Sequence, residues 1–356
     1  MTPSLHSSTV IESIQIKNLR GIREGRLNEL TPLTVLVGPN SSGKSTILDA
    51  LLIATSLSLG DAVGRAVRRR TERDADARWL LWRQGDDGPV DLTITNSQKS
   101  SRTCRLTWQT EVPESLAEKL AGQRKERPYS SVEATCQGAT QGIVAWTAFA
   151  ADNTYEFAQV PERLPDELRL APSVRFIDMR GGGMKTPLPT LFTGAVTHGR
   201  REEVRELLEA IIPGLRNIEI LVNPQGEPVL HLIYPDQSVP VALAGDGIRS
   251  MLRLGLELAS QGRGLALIEE PEVHQHPRAI QQSAKALIAS MRRGMQIVLS
   301  THSLELIDSL LLEATEEDLQ FLSTYRLKLN DGVLVSSRFS GDKMAFARGQ
   351  IEDDLR

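Results

Sequence analysis

The chain has 356 residues, more than one compact domain usually holds, so its length implies a large domain carrying an insertion, or two domains. At 40% hydrophobic and 24% charged residues it is neither disordered nor collagen-like, and a net charge of −4 excludes a protein that coats nucleic acid through bulk positive charge, though not a local basic patch. The two cysteines, Cys104 and Cys136, lie far apart and in no metal-ligand spacing, which argues against a zinc module and a secreted disulfide framework and favours a reducing cytoplasm.

Residues 1–9 are polar and lack the basic start and apolar run of a secretion signal. No stretch reaches the ~18 consecutive apolar residues of a membrane helix, so no membrane insertion is expected. Residues 10–16 alternate apolar and polar, and 33–37 form a short apolar run ending at glycine; both predict strands. From Thr46 the apolar residues recur at helical spacing as far as Gly60, a candidate C-cap. Residues 61–80 are arginine-rich and helix-compatible, and four alternating segments, 90–95, 103–108, 130–135 and 143–148, predict an antiparallel section reaching residue 172, with a helix over 114–127. A helix over 198–212 ends at Pro213-Gly214, and strands follow at 218–222 and 229–234. From Gly247 helix (248–259), strand (265–268), helix (278–291) and strand (296–300) alternate, the pattern of a mainly parallel sheet covered by helices. A hairpin over 325–338 turns at Asn330-Asp331-Gly332.

Three segments carry chemistry. Gly38-Pro39-Asn40-Ser41-Ser42-Gly43-Lys44-Ser45, followed by Thr46, satisfies the phosphate-binding pattern G-x-x-x-x-G-K-[ST] between a strand and a helix. Its glycines let backbone N–H groups face phosphate, Lys44 reaches the outer phosphates, and the Ser45 hydroxyl suits Mg²⁺. Next, the apolar run 265–268 ends in Glu269-Glu270-Pro271, placing two carboxylates where open α/β sheets bind ligands. Glu269 is suited to hold Mg²⁺ and Glu270 to polarise an attacking water. Finally, 297–299 lead into Ser300-Thr301-His302-Ser303, where His302 is placed to report on a terminal phosphate. Arg65, Arg68, Arg69, Arg70 and Arg73 form a basic cluster that suits either nucleic acid or a solvated helix face paired with Glu72, Asp74 and Asp76.

These segments, in this order, resemble the soluble branch of the ABC-type ATPases. They look most like bacterial AAA-family ATPases of the "overcoming lysogenisation defect" type, relatives of the RecF and Rad50 ATPase heads. Residues 14–21 are similar to that family's first strand and turn, 269–277 to its extended Walker B and following loop, and 300–303 to its histidine switch. The loop pattern accounts for His274 and His276 without a zinc site. The resemblance covers residues 10–60 and about 172–325. It implies a signature loop at 244–250, with Gly245 in the place of the usual serine and Gly245 and Gly247 offering backbone amides to phosphate. The glutamine loop has only weak candidates in Gln84 and Gln98.

The resemblance implies an α/β P-loop ATPase head divided as 1–60, an inserted β-rich lobe at 61–171, and 172–356. It further implies ATP and Mg²⁺ as cofactors, and a cytoplasmic homodimer, or a higher oligomer, that sandwiches ATP. About 50 residues follow His302, too few for the Toprim nuclease of longer relatives. The expected output is therefore control of a separate effector, a nuclease or toxin, in bacterial phage defence, with DNA as a possible partner. The alternative is a DNA-repair or recombination ATPase. A transporter subunit fits less well.

Overall fold

The computed structural model describes residues 11–70, 77–116, 118, 130–150, 154–171, 173–179, 186–350 and 354. Most strands join one 13-stranded mixed sheet, flanked by helices. One half is built on parallel neighbours: β9 (Val174–Asp178), β13 (Leu265–Glu269), β14 (Gln296–Ser300), β3 (Leu33–Val37) and β15 (Leu322–Asn330) lie side by side in that order. Every residue of β3, β13 and β14 is buried, as strands covered on both faces require. Leu265 and Leu267 enter the core on one face and Ala266 and Ile268 the core on the other, following the two-residue period of a strand.

The other half is antiparallel. β1 (Ile11–Leu19) pairs with β2 (Ile22–Asn28) on one side and with β4 (Val90–Asn96) on the other. From β4 the sheet runs on through β5 (Ser101–Gln109), β6 (Ser130–Gln137), β7 (Gly142–Phe149) and β8 (Tyr155–Val160). The segment read as an inserted lobe thus continues the sheet of the head, and its Leu92, Leu106 and Val132 share a core with Ile14 and Leu48. β16 (Val333–Ser340) closes the gap between β15 and β2, turning through Asp331 and Gly332, both at positive φ as a tight hairpin turn demands.

Several expectations are corrected. The first helix, α1 (Lys44–Thr55), ends at Ser56; Gly60 is no C-cap but lies inside a second helix, α2 (Leu59–Arg70). A side chain at Gly60 would meet Phe157, and one at Gly64 would meet the Tyr155 ring, so these glycines let α2 lie flat on β8. The helix expected over 198–212 is shorter, Arg201–Glu209, and an unanticipated helix, Leu188–Thr197, precedes it, the two parted at Gly199 with φ +70°. β2 and β8 and the helices Leu304–Glu313 and Gly341–Gln350 had no clear sequence signal. In β2 only Ile22, Gly25 and Leu27 are buried among charged residues, and its pairing with β1 makes it a strand. Of the helix expected over 114–127, only residues 114–116 and 118 are described; 1–9, Glu72, Arg73, Asp74 and Asp76 also lie outside the described residues.

The reading of the cysteines against a disulfide is also corrected. Cys104 on β5 stands directly opposite Cys136 on β6, and the two are disulfide-bonded. Strand register, invisible in a separation of 32 residues, brings them together. Residues 217–240 form a separate three-stranded sheet of β10 (Asn217–Val222), β11 (Pro228–Ile233) and β12 (Ser238–Pro240). Among the described residues no helix is long and apolar enough to cross a membrane.

Candidate active site

Parallel register brings the chemistry-bearing segments to one edge of the sheet. Glu269 is in register with Ser300 on one side and with Asp178 on the other, and Ser300 with Leu36, just before the phosphate loop. The loop 38–43 curls because Gly38, Ser41 and Gly43 take φ of +141°, +62° and +94°. A side chain at Gly38 would run into the Leu327 carbonyl at 2.4 Å. α1 starts at Lys44 with no side-chain cap, so the first-turn N–H groups of this helix are left to a ligand.

Lys44 folds onto its own loop, its Nζ donating to the carbonyls of Gly38 at 2.8 Å and Pro39 at 2.9 Å. Burial holds this ammonium below its ordinary pKa, and Glu270, Glu269 and Glu272 only partly offset it. Such a buried cation, bonded to neutral carbonyls, fits a phosphate group. Ser45 Oγ donates to Glu269 Oε1, so the hydroxyl and carboxylate expected to share Mg²⁺ are already in contact. Two hard oxygen donors on rigid elements suit that ion.

Glu270 stands just past the end of β13 at φ +48°, a conformation rare for a side-chain-bearing residue, and its N–H donates to the Ser300 carbonyl at 3.0 Å. That bond ties the Walker B turn to the histidine strand. Glu270 Oε1 lies 3.8 Å from His302 Nε2. Glu272 completes the join: its Oε1 accepts from Thr301 Oγ1 at 2.6 Å and from the His302 N–H at 3.0 Å. Burial raises its pKa, against the hydrogen bonds from Thr301 and the His302 backbone. His276 caps the helix Pro277–Arg292, its side chain accepting from the Arg278 N–H.

Sequence reasoning missed a buried ion-pair network. Arg69, from α2, donates to both Glu269 Oε2 and Asp49 Oδ1, and Arg20 Nε lies 3.1 Å from Asp49 Oδ2. Burial works against the Arg69 charge, but Asp49 and then Glu269 more than offset it and raise its pKa. Arg69 therefore belongs to neither alternative offered for the basic cluster. Two signals were present: Asp49 interrupts an apolar helix face, and Arg69 continues the buried stripe of Ala62 and Ala66 at i+7 and i+3.

The signature segment opens the helix Asp246–Ala259 with Gly245 as its uncapped N-cap. Asp246 pairs with Arg249, whose hydrogen bond and charge lower the Asp246 pKa, so its carboxylate is balanced within the turn. Gly247 packs on the loop after Walker B: a side chain there would meet the His274 carbonyl at 2.7 Å, whereas Gly245 has open space. Ser250 Oγ donates to the Val273 carbonyl at 3.0 Å, a second tie between helix and loop. The strand beside Walker B ends in Asp178, where no glutamine stands. Gln84 lies in the 3₁₀ turn Trp82–Gly85, and Gln98 in the β4–β5 turn, at the opposite edge of the sheet from the phosphate loop.

Sheet and glycine loop together define the fold of a P-loop ATPase head. The chain belongs to the AAA ATPase domain family, which matches residues 10–72 and 193–307, together half of its length. It is 32% identical over 113 residues to MJECL11, an uncharacterized protein of Methanocaldococcus jannaschii, a match covering 32% of this chain and 98% of that protein. It is 36% identical over 92 residues to MJECL10 of the same organism, covering 25% of this chain and 38% of that one. The DNA replication and repair protein RecF of Cyanothece sp. is 28% identical over 99 residues, 26% of this chain and 24% of RecF. The chain thus spans only a minor part of MJECL10 and RecF. In fold it is similar to an Smc head bound to the C-winged helix domain of ScpA, with a TM-score of 0.53 at 14% identity over 94% of this chain and 99% of that one. The Smc head with an extended coiled coil from Pyrococcus furiosus gives 0.51 at 13% identity over 97% and 100%.

Proposed function

We propose that this protein binds and hydrolyses ATP, closes as a dimer around it, and couples that cycle to DNA. The observation that carries the reading is the register of β3, β14 and β13, which gathers Lys44, Ser45, Glu269, Glu270 and His302 at one sheet edge. Residues 38–46 cradle the phosphates, with Lys44 moving from its loop carbonyls to the outer phosphates. Ser45 and Glu269 would hold Mg²⁺, which supplies charge neutralisation on the phosphates. Glu270 orients and deprotonates the attacking water, and His302 meets the terminal phosphate. Gly245 and Gly247 face the partner's nucleotide, Gly245 from the open side and Gly247 by letting the helix start sit on the 273–275 loop. The Ser250 and Glu272 bonds join that helix start to the histidine switch through a single loop, a physical route between the two sites.

RecF, a DNA replication and repair protein, supports the DNA reading over control of a separate nuclease or toxin in phage defence. The Smc heads bound to ScpA domains support a protein partner. The test is Glu270→Gln. Hydrolysis should fall ~10²-fold or more while ATP still binds, and an ATP-dependent dimer should accumulate in sedimentation. Double-stranded DNA should change the turnover of the native protein. Parental turnover in Glu270→Gln would remove Glu270 from its role, and indifference to DNA in both turnover and ATP-dependent binding would remove the DNA arm.

A further inference from the structure

A cavity of about 550 Å³ lies between α2, the edge strand β9 and the helix Asp246–Ala259, and no phosphate-loop residue lines it. Five arginines do: Arg65, Arg68, Arg69, Arg175 and Arg253, against the carboxylates of Asp178 and Glu257. Much of their hydrogen-bonding capacity is unspent. Arg68 is half-buried and has no hydrogen bond or ion pair among the described residues. Arg175 and Arg253 share the single carboxylate of Glu257, each through one nitrogen, at 2.7 and 3.3 Å. Arg253 adds a bond from that same nitrogen to the Thr186 carbonyl. The Nε of Arg69 is buried with no acceptor among the described residues. Arg65 is engaged with Asp61 at the mouth, where Tyr155 also meets Asp61.

Five guanidinium groups against two carboxylates leave an excess of donors that an anionic ligand would satisfy. Guanidinium groups from two helices and a strand converge as phosphate recognition requires, since each offers a planar fork to a phosphate edge. Leu52, Val174, Ile177 and Pro187 add apolar wall beside Tyr155 and Thr186, and the volume is that of a small-molecule site. The ring of Phe176 is already covered by Arg69, 3.9 Å from its centroid.

We infer that this cavity binds a phosphorylated small molecule of mononucleotide size, separately from the phosphate loop. The anion takes Arg68, Arg175 and Arg253, and its apolar part lies along β9. Arg69 borders the cavity and also holds Glu269, so an occupant there adjoins the carboxylate assigned to the metal.

Calorimetry with AMP tests this in Lys44→Ala protein, where the phosphate loop is disabled. One AMP should still bind per chain. Adding Arg68→Glu should weaken that binding about tenfold or more, whereas Arg68→Lys should keep most of it. Among the described residues Arg68 has no hydrogen bond or ion pair to lose, so the melting temperature should change little; Arg175→Gln, weakening the same binding from a different element, is the second variant. Absence of AMP binding in Lys44→Ala protein, or binding indifferent to both Arg68→Glu and Arg175→Gln, overturns the proposal. So does Arg68-dependent binding of double-stranded DNA without binding of AMP, which would make this a nucleic-acid face.

Discussion

The two halves of the large sheet use the same hydrogen-bonding ladder for different ends. In the parallel half β3, β13 and β14 are buried along their whole length, and their C-terminal ends all reach one edge. In the antiparallel half β4 alternates buried and half-exposed residues, and successive strands end at opposite edges. Only the parallel half can therefore gather several strand ends at one site. The antiparallel half contributes sideways, through α2, which rests on β8 and sends Arg69 to Glu269.

The largest effect should come from the parallel half alone. Lys44→Ala removes the ammonium from a site otherwise made of backbone dipoles, and ATP affinity by calorimetry should fall by ~10²-fold or more, of the order of losing a buried charge pair. Unchanged affinity would sink the phosphate-loop reading.

Arg69→Gln asks how much the halves depend on each other. Its side chain is 5% exposed, between two carboxylates that are almost fully buried, so removing it should destabilise the fold by ~3–5 kcal/mol in denaturant unfolding. The comparison is Arg105→Ala, which breaks the exposed pair with Asp91 on β4 and β5 and should cost at most ~1 kcal/mol. Equal effects would mean that Arg69 is not the joint between the halves.

At the signature helix, Gly247→Ala should cost ~1–3 kcal/mol, because the added methyl meets the His274 carbonyl, whereas Gly245→Ala should cost much less. Gly245→Arg is accordingly the cleaner probe of dimer closure, since any loss of ATP-dependent dimer is free of a clash within the chain. Normal dimerisation of that variant would remove residues 244–250 from the interface.

The smallest effect concerns Glu272. Its pKa is raised in the fold, so the protonated form is favoured; the associated stability is present below the unfolded carboxylate pKa and is lost as pH rises through the folded value. Glu272→Gln keeps an acceptor for Thr301 and the His302 N–H without the charge. Stability followed by thermal melting should then decline less between pH 4 and neutrality than in the parent, a difference on the order of 1 kcal/mol. Parallel pH curves would show that Glu272 ionises freely.

Local pattern was enough for most strands and the fold class, and it marked the three segments that strand register gathers at one edge, because each rests on residue types and spacings within a dozen positions. The apolar runs 265–268 and 296–300, alternating with helical segments, read as fully covered strands, and a glycine loop between strand and helix reads as a phosphate cradle. Tertiary structure decided the rest. Whether 90–160 formed a lobe or a continuation of the sheet depended on β1 pairing with β4, far along the chain. That Arg69 is buried depended on where α2 docks, and whether Cys104 meets Cys136 depended on register. Segment type is set by residues near in sequence, whereas docking and register are set by side chains that become neighbours only when distant segments pack, and no local pattern carries that information.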